Sequence, residues 1–144
     1  MTPSEFKLKA LDPAYKLLPV KMNTREASVM VIAICLQESR LTSRYQIVQG
    51  RPGAKGPARG FPQFELGSQL KGGGVWGVFK HKASRPYLEH ACRELGVTFW
   101  PQAIWESLES NDVLAAVMAR LLLYTDAHAL PKLGDVTGAW NYYI

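Results

Sequence analysis

Glu38 stands two residues beyond an apolar run, Val29 to Leu36, close to the end of the helix that this run predicts. Burial against an apolar helix and the negative end of the helix dipole both favour a neutral carboxyl at that position. Glycoside cleavage requires such an acid, because the leaving oxygen must take up a proton as its bond breaks. Arg40 and Arg44 oppose both influences. Taken alone, a glutamate at a helix end beside arginines is ordinary solvated surface, so the neighbouring motifs must decide.

Three segments occur in order along the chain: Gln37-Glu38-Ser39, Gly60-Phe61-Pro62-Gln63 and Ala139-Trp140-Asn141-Tyr142. Together they resemble the soluble lytic transglycosylase and goose-type lysozyme families. There a helix ends in Glu-Ser, a Gly-Leu-Met-Gln segment follows, and an Ala-Tyr-Asn segment comes near the end. The longer run Ala58 to Glu65, with Gly72-Gly73-Gly74-Val75 and Asp112 to Ala116, looks like phage and prophage proteins of lysozyme-like type. The resemblance covers roughly residues 25–144. Phe61-Pro62 replaces Leu-Met, Trp140 replaces Tyr, and Tyr142 stands where Ala-Gly often follows Asn, so the departures fall on substrate subsites more than on the acid.

The resemblance implies cleavage of the β-1,4 bond between N-acetylmuramic acid and N-acetylglucosamine in bacterial peptidoglycan. Glu38 would be the proton donor and later the base. Ser39 would support the reacting sugar or Glu38 itself, and Gln63 would hydrogen-bond the substrate. Tyr45, Phe64, Trp140, Asn141 and Tyr142 would complete the cleft. Glu65 stands as a second catalytic candidate, since an inverting hydrolase needs a carboxylate about 6.5 to 9.5 Å from the acid to activate water. Transglycosylases dispense with that base and use a hydroxyl of the muramic sugar. No metal or organic cofactor is implied. The alternative, from another class, is a noncatalytic phage structural or wall-binding protein that keeps the lysozyme-like fold.

Charge narrows the partners without choosing among them. Residues 1–60 carry ten Lys/Arg against four Asp/Glu, and residues 61–144 carry seven against eight. A field of that sign attracts any polyanion. The cations Arg51, Lys55 and Arg59 lie in a Gly/Pro-rich stretch with no reading helix or base-stacking motif, so nucleic acid is not expected, and on the leading reading this basic loop faces the wall. The longest apolar run is far below the roughly 18 residues of a membrane span. The N-terminus lacks the features of a secretory signal. The expectation is a protein made in the host cytoplasm that acts in the periplasm or at the wall, or is carried in a virion. Cys35 and Cys92, without CxxC spacing, read as buried free thiols. Oligomeric state is left open.

The elements that must position these residues are helical. At 144 residues, 47% of them hydrophobic, the chain has the size of one lysozyme-like domain with its own core. A first short helix is expected from Asp12, with Pro13 in its first turn, to Pro19. A central helix runs from Asn23 or Thr24 past Glu38, and a second central helix follows a cap at Ser110 or Asn111. Shorter helices are expected over residues 84–95 and 101–108, with one or two turns after Gly74 and a last amphipathic segment over 135–143. No long period-2 run competes, so the fold class is mainly α (α+β), with two buried central helices and at most a small β-hairpin near residues 45–64.

Overall fold

The computed structural model describes residues 1–126. Over these residues the protein is mainly helical, with one small two-stranded antiparallel sheet. Trp140, Asn141, Tyr142 and the segment expected over 135–143 lie outside the described residues.

The chain enters its first helix far earlier than the Asp12 start expected. Thr2 Oγ1 accepts the Glu5 N–H at 3.1 Å, and Glu5 Oε1 accepts the Thr2 N–H at 3.2 Å. This reciprocal capping box, with Pro3 in the first turn, starts α1 (Pro3–Phe6). The helix continues through a π-helical stretch (Lys7–Leu11) into α2 (Asp12–Tyr15). The π turn absorbs Pro13, which brings no N–H and a ring that an unbroken α-helix would not accommodate. Thr-Pro-Ser-Glu at residues 2–5 was the legible signal, and Asp12-Pro13 a misleading one. A 3₁₀ turn (Val20–Met22) then leads to Thr24, whose hydroxyl caps α3 (Arg25–Ser39).

The sheet pairs β1 (Tyr45–Ile47) with β2 (Lys55–Arg59), within the expected 45–64 window. Tyr45 lies opposite Arg59 and Ile47 opposite Lys55, with a register irregularity between. Next come α4 (Gly74–Lys80), α5 (Arg85–Leu95, closed by left-handed Gly96), α6 (Pro101–Ser107) and α7 (Asp112–Thr125, capped by Asn111).

α7 forms the axis of the core and packs against the π stretch, α2, α3, α4 and α5. Leu114 to Leu121 are all buried. That run includes Arg120, whose Nε donates to the Met22 carbonyl at 2.9 Å and so ties α7 to the 3₁₀ turn. Burial pushes the Arg120 guanidinium below its ordinary range. α3 is the second central helix, buried at Ala27, Ser28, Val31, Ile32, Ala33 and Cys35. Cys35 and Cys92 are free and buried, as expected. No helix among the described residues is long and apolar enough to cross a membrane.

Candidate functional site

α3 stops sharply just after Glu38. Arg40 and Leu41 both take left-handed backbone conformations, with φ of 55° and 56°. Such angles are costly for residues with side chains and persist where surrounding packing overrides them. Leu41 is fully buried, and its carbonyl accepts a hydrogen bond from the N-terminal amine of Met1 at 2.9 Å. The turn sends the chain directly into β1.

Ser39 joins this helix end to the Gly60–Gln63 turn. Its hydroxyl lies 2.8 Å from the Phe61 carbonyl and 3.0 Å from the Cys35 carbonyl, sharing one hydrogen between them. Its oxygen accepts the Leu41 N–H at 3.3 Å. Ser39 is therefore a clamp between two backbone segments, and it has no bond to Glu38. The turn closes where Arg59 and Phe64 exchange backbone hydrogen bonds at 2.9 Å. Gly60 takes φ 76°, and a β-carbon there would come within 3.2 Å of Leu108, so the turn needs glycine both for its angle and for space. Gln63 is the third non-glycine residue with positive φ, at 59°.

These constraints leave an open groove of about 360 Å³ lined by Gln37, Glu38, Ser39, Tyr45, Gln46 and Gln63, among others. Four residues singled out from the sequence (Glu38, Ser39, Tyr45 and Gln63) thus share one surface. Glu65 lies elsewhere, exposed, in a neighbouring groove of about 240 Å³ that also holds Ile34, Phe64 and Leu122 and shares Gln63 with the first. Phe64 is only 5% exposed, so its ring is mostly core.

Two expectations about charge fail. Glu38 is exposed, so the burial that would favour a neutral acid is absent from the free groove. The helix leaves the core within the single turn between Cys35 and Glu38, and apolarity of the preceding run does not carry past that boundary. Arg44 does not face Glu38 either. Its Nε and Nη2 hold both oxygens of Asp112, at 2.8 and 2.9 Å, and its guanidinium stacks 4.5 Å from the Phe61 ring centre. This charge-assisted pairing with Asp112 raises the Arg44 pKa further above its ordinary range.

The basic loop is also largely committed to internal contacts. Lys55 pairs with Glu109 and lies 5.1 Å from the Tyr45 ring centre. Arg59 stacks 4.4 Å over Trp105, whose indole N–H donates to the Pro57 carbonyl. Arg51 remains exposed. Among the described residues no three His, Cys, Asp or Glu side chains are grouped to hold a metal ion.

Gln46 is a groove residue that the sequence analysis missed. Its only local signal is alternation in a short strand beside Tyr45, which is too brief to read. No family model, curated protein or solved structure matches the chain.

Proposed function

We propose that the protein cleaves peptidoglycan glycan strands, with Glu38 as the general acid that protonates the glycosidic oxygen. The observation that carries this reading is convergence. The Glu38-Ser39 helix end and the Gly60–Gln63 turn, separate in sequence, are joined by the Ser39 to Phe61 hydrogen bond and open onto one groove with Tyr45. The three positive-φ residues other than glycine among those described all lie at this place. Strain of that kind persists where a site demands a particular backbone path.

In this reading a glycan strand lies along the groove, and the bound sugar supplies the exclusion of water from Glu38 that the empty groove lacks. Gln63, held by its amide to Gly60, presents its carbonyl oxygen to the sugar. Asn141, Tyr142 and Trp140 complete the site only by the family resemblance. Glu65, in the adjoining groove, serves as base if the enzyme hydrolyses and is dispensable if it forms an anhydro product. Reducing or anhydro-muramic ends, read by mass spectrometry of digested wall, separate the two.

A second reading, a noncatalytic wall-binding module, is favoured by one observation. Glu38 is exposed and makes no salt bridge or side-chain hydrogen bond among the described residues. The deciding experiment is turbidity loss of purified cell wall with Glu38→Gln. The catalytic reading expects a fall of roughly 10²- to 10⁴-fold at an unchanged melting temperature. Wild-type rates in the variant would remove Glu38 as the acid, whereas wall binding without cleavage in the parent leaves the binding module standing.

A further inference from the structure

Two amide side chains in the Glu38 groove are each anchored by one end. Gln46 Oε1 accepts the Ala58 N–H at 3.2 Å. Its side chain lies flat over Gly56, where an added β-carbon would stand 2.6 Å from Gln46 Cδ. Gln63 Nε2 donates to the Gly60 carbonyl at 2.9 Å.

These partners settle which way each amide faces. A reversed Gln46 would set its NH₂ against the Ala58 N–H, and a reversed Gln63 would set oxygen against oxygen at Gly60. Gln46 therefore keeps its N–H donors for a ligand, and Gln63 keeps its carbonyl oxygen. Neither of these ends has a partner among the described residues. Both residues line the same groove as Glu38, together with Ile47, whose side chain is 70% exposed.

We propose that Gln46 and Gln63 form a donor–acceptor pair that selects an acetamido group on the bound sugar. An acetamido group carries one carbonyl oxygen for the Gln46 N–H, one N–H for the Gln63 oxygen, and a methyl that Ile47 or Tyr45 can cover. A hydroxyl at the same carbon offers a single atom and no methyl. Gln46 thereby acts as a specificity-determining residue, and Gly56 as the position that lets its side chain lie flat. The proposal rests on reading the groove as a glycan site. It does not require Glu38 to be catalytic.

Calorimetric titration with N-acetylglucosamine tetramer and with cellotetraose, which lacks the acetamido group, tests it. The intact protein should bind the acetylated tetramer about tenfold more tightly, the effect of losing one or two neutral hydrogen bonds at an open site. In Gln46→Glu the carboxylate still accepts the Ala58 N–H and keeps the side chain's shape. It meets the acetamido carbonyl with an acceptor, so the tenfold preference for the acetylated tetramer over cellotetraose should vanish while the melting temperature holds. Gly56→Ala, which displaces the same side chain without changing its chemistry, should reduce the preference too.

Equal binding of both tetramers by the parent, no binding of the acetylated one, or a preference that survives Gln46→Glu overturns the proposal. Tighter binding of an alanine tetrapeptide than of the sugar also overturns it, since the pair would then be reading a peptide amide. Wall cleavage followed in parallel keeps the two ideas apart. A Glu38→Gln variant that still cleaves wall defeats the catalytic reading and leaves the acetamido preference untouched.

Discussion

α7 and α3 are both apolar on nearly every face, yet α7 is enclosed from Leu114 to Leu121, whereas α3 leaves Val29, Met30, Ile34 and Leu36 partly open and ends on exposed Gln37 and Glu38. The composition of the two segments does not explain this difference. α7 is surrounded by the π stretch and by α2, α3, α4 and α5. α3 passes out of the core, and Cys35, fully buried, lies less than one turn before Glu38. A helix enclosed along its length can only support a fold. One that crosses the core boundary can carry polar groups on a rigid element into a groove, which is what a binding or catalytic site requires.

The largest test of the comparison is truncation in each helix. Leu121→Ala, inside the enclosed stretch, should cost about 2–5 kcal/mol, because the cavity it leaves cannot collapse. Ile34→Ala, on the open side of α3, should cost about 1 kcal/mol. Urea unfolding measures both, and equal losses would break the distinction drawn between the helices.

A smaller effect is expected at the groove itself. Ser39→Ala removes the hydroxyl shared by the Cys35 and Phe61 carbonyls and should cost about 1 kcal/mol. Because the turn bearing Gln63 is released, glycan affinity should fall together with stability. A variant that loses stability but binds glycan normally would show that the clamp serves the fold alone.

Alkaline pH sharpens the comparison from the core side. Burial pushes the Cys92 thiol up from its usual value near 9 to about 11, and raises Cys35 as well. The folded state disfavours the thiolate, so this contribution to stability is complete below pH 9 and is lost as pH rises through about 11. Urea unfolding of Cys92→Ala and of the parent should therefore converge across that window, with the variant showing the flatter dependence. Parallel curves would contradict the assigned burial. Neither thiol should react with a disulfide reagent until the protein unfolds.

The smallest change is expected at exposed Arg51, in the turn of the hairpin. Arg51→Ser should alter stability by less than about 0.5 kcal/mol. Arg59→Ser removes the stack on Trp105 and should cost more, about 1 kcal/mol. If Arg51 meets an anionic wall, its loss should weaken wall binding most at low salt, where screening is least.

The sequence by itself determined most of the helical elements and narrowed their caps to adjacent residues, Asn23 or Thr24 and Ser110 or Asn111, with Gly96 after α5, because caps act locally, within a turn of the residues they serve. It also determined the mainly α class, the window of the small sheet and the two buried thiols, because apolar periodicity and Gly/Pro punctuation are local signals. The start at Thr2 was legible in the same way and was outweighed by the more conspicuous Asp12-Pro13.

Only the tertiary structure decided what surrounds each side chain. Arg44 meets Asp112 across 68 residues, which no spacing rule anticipates. Phe64 turns into the core, and Glu65 opens onto a groove beside the one that holds Glu38. Gln46 is oriented by Ala58 on the partner strand. Glu38 is exposed because the core ends a turn before it. Burial and pairing are set by residues distant in the chain, whereas caps and periodicity are set by neighbours, and that separation divides what could be read in advance from what had to be folded.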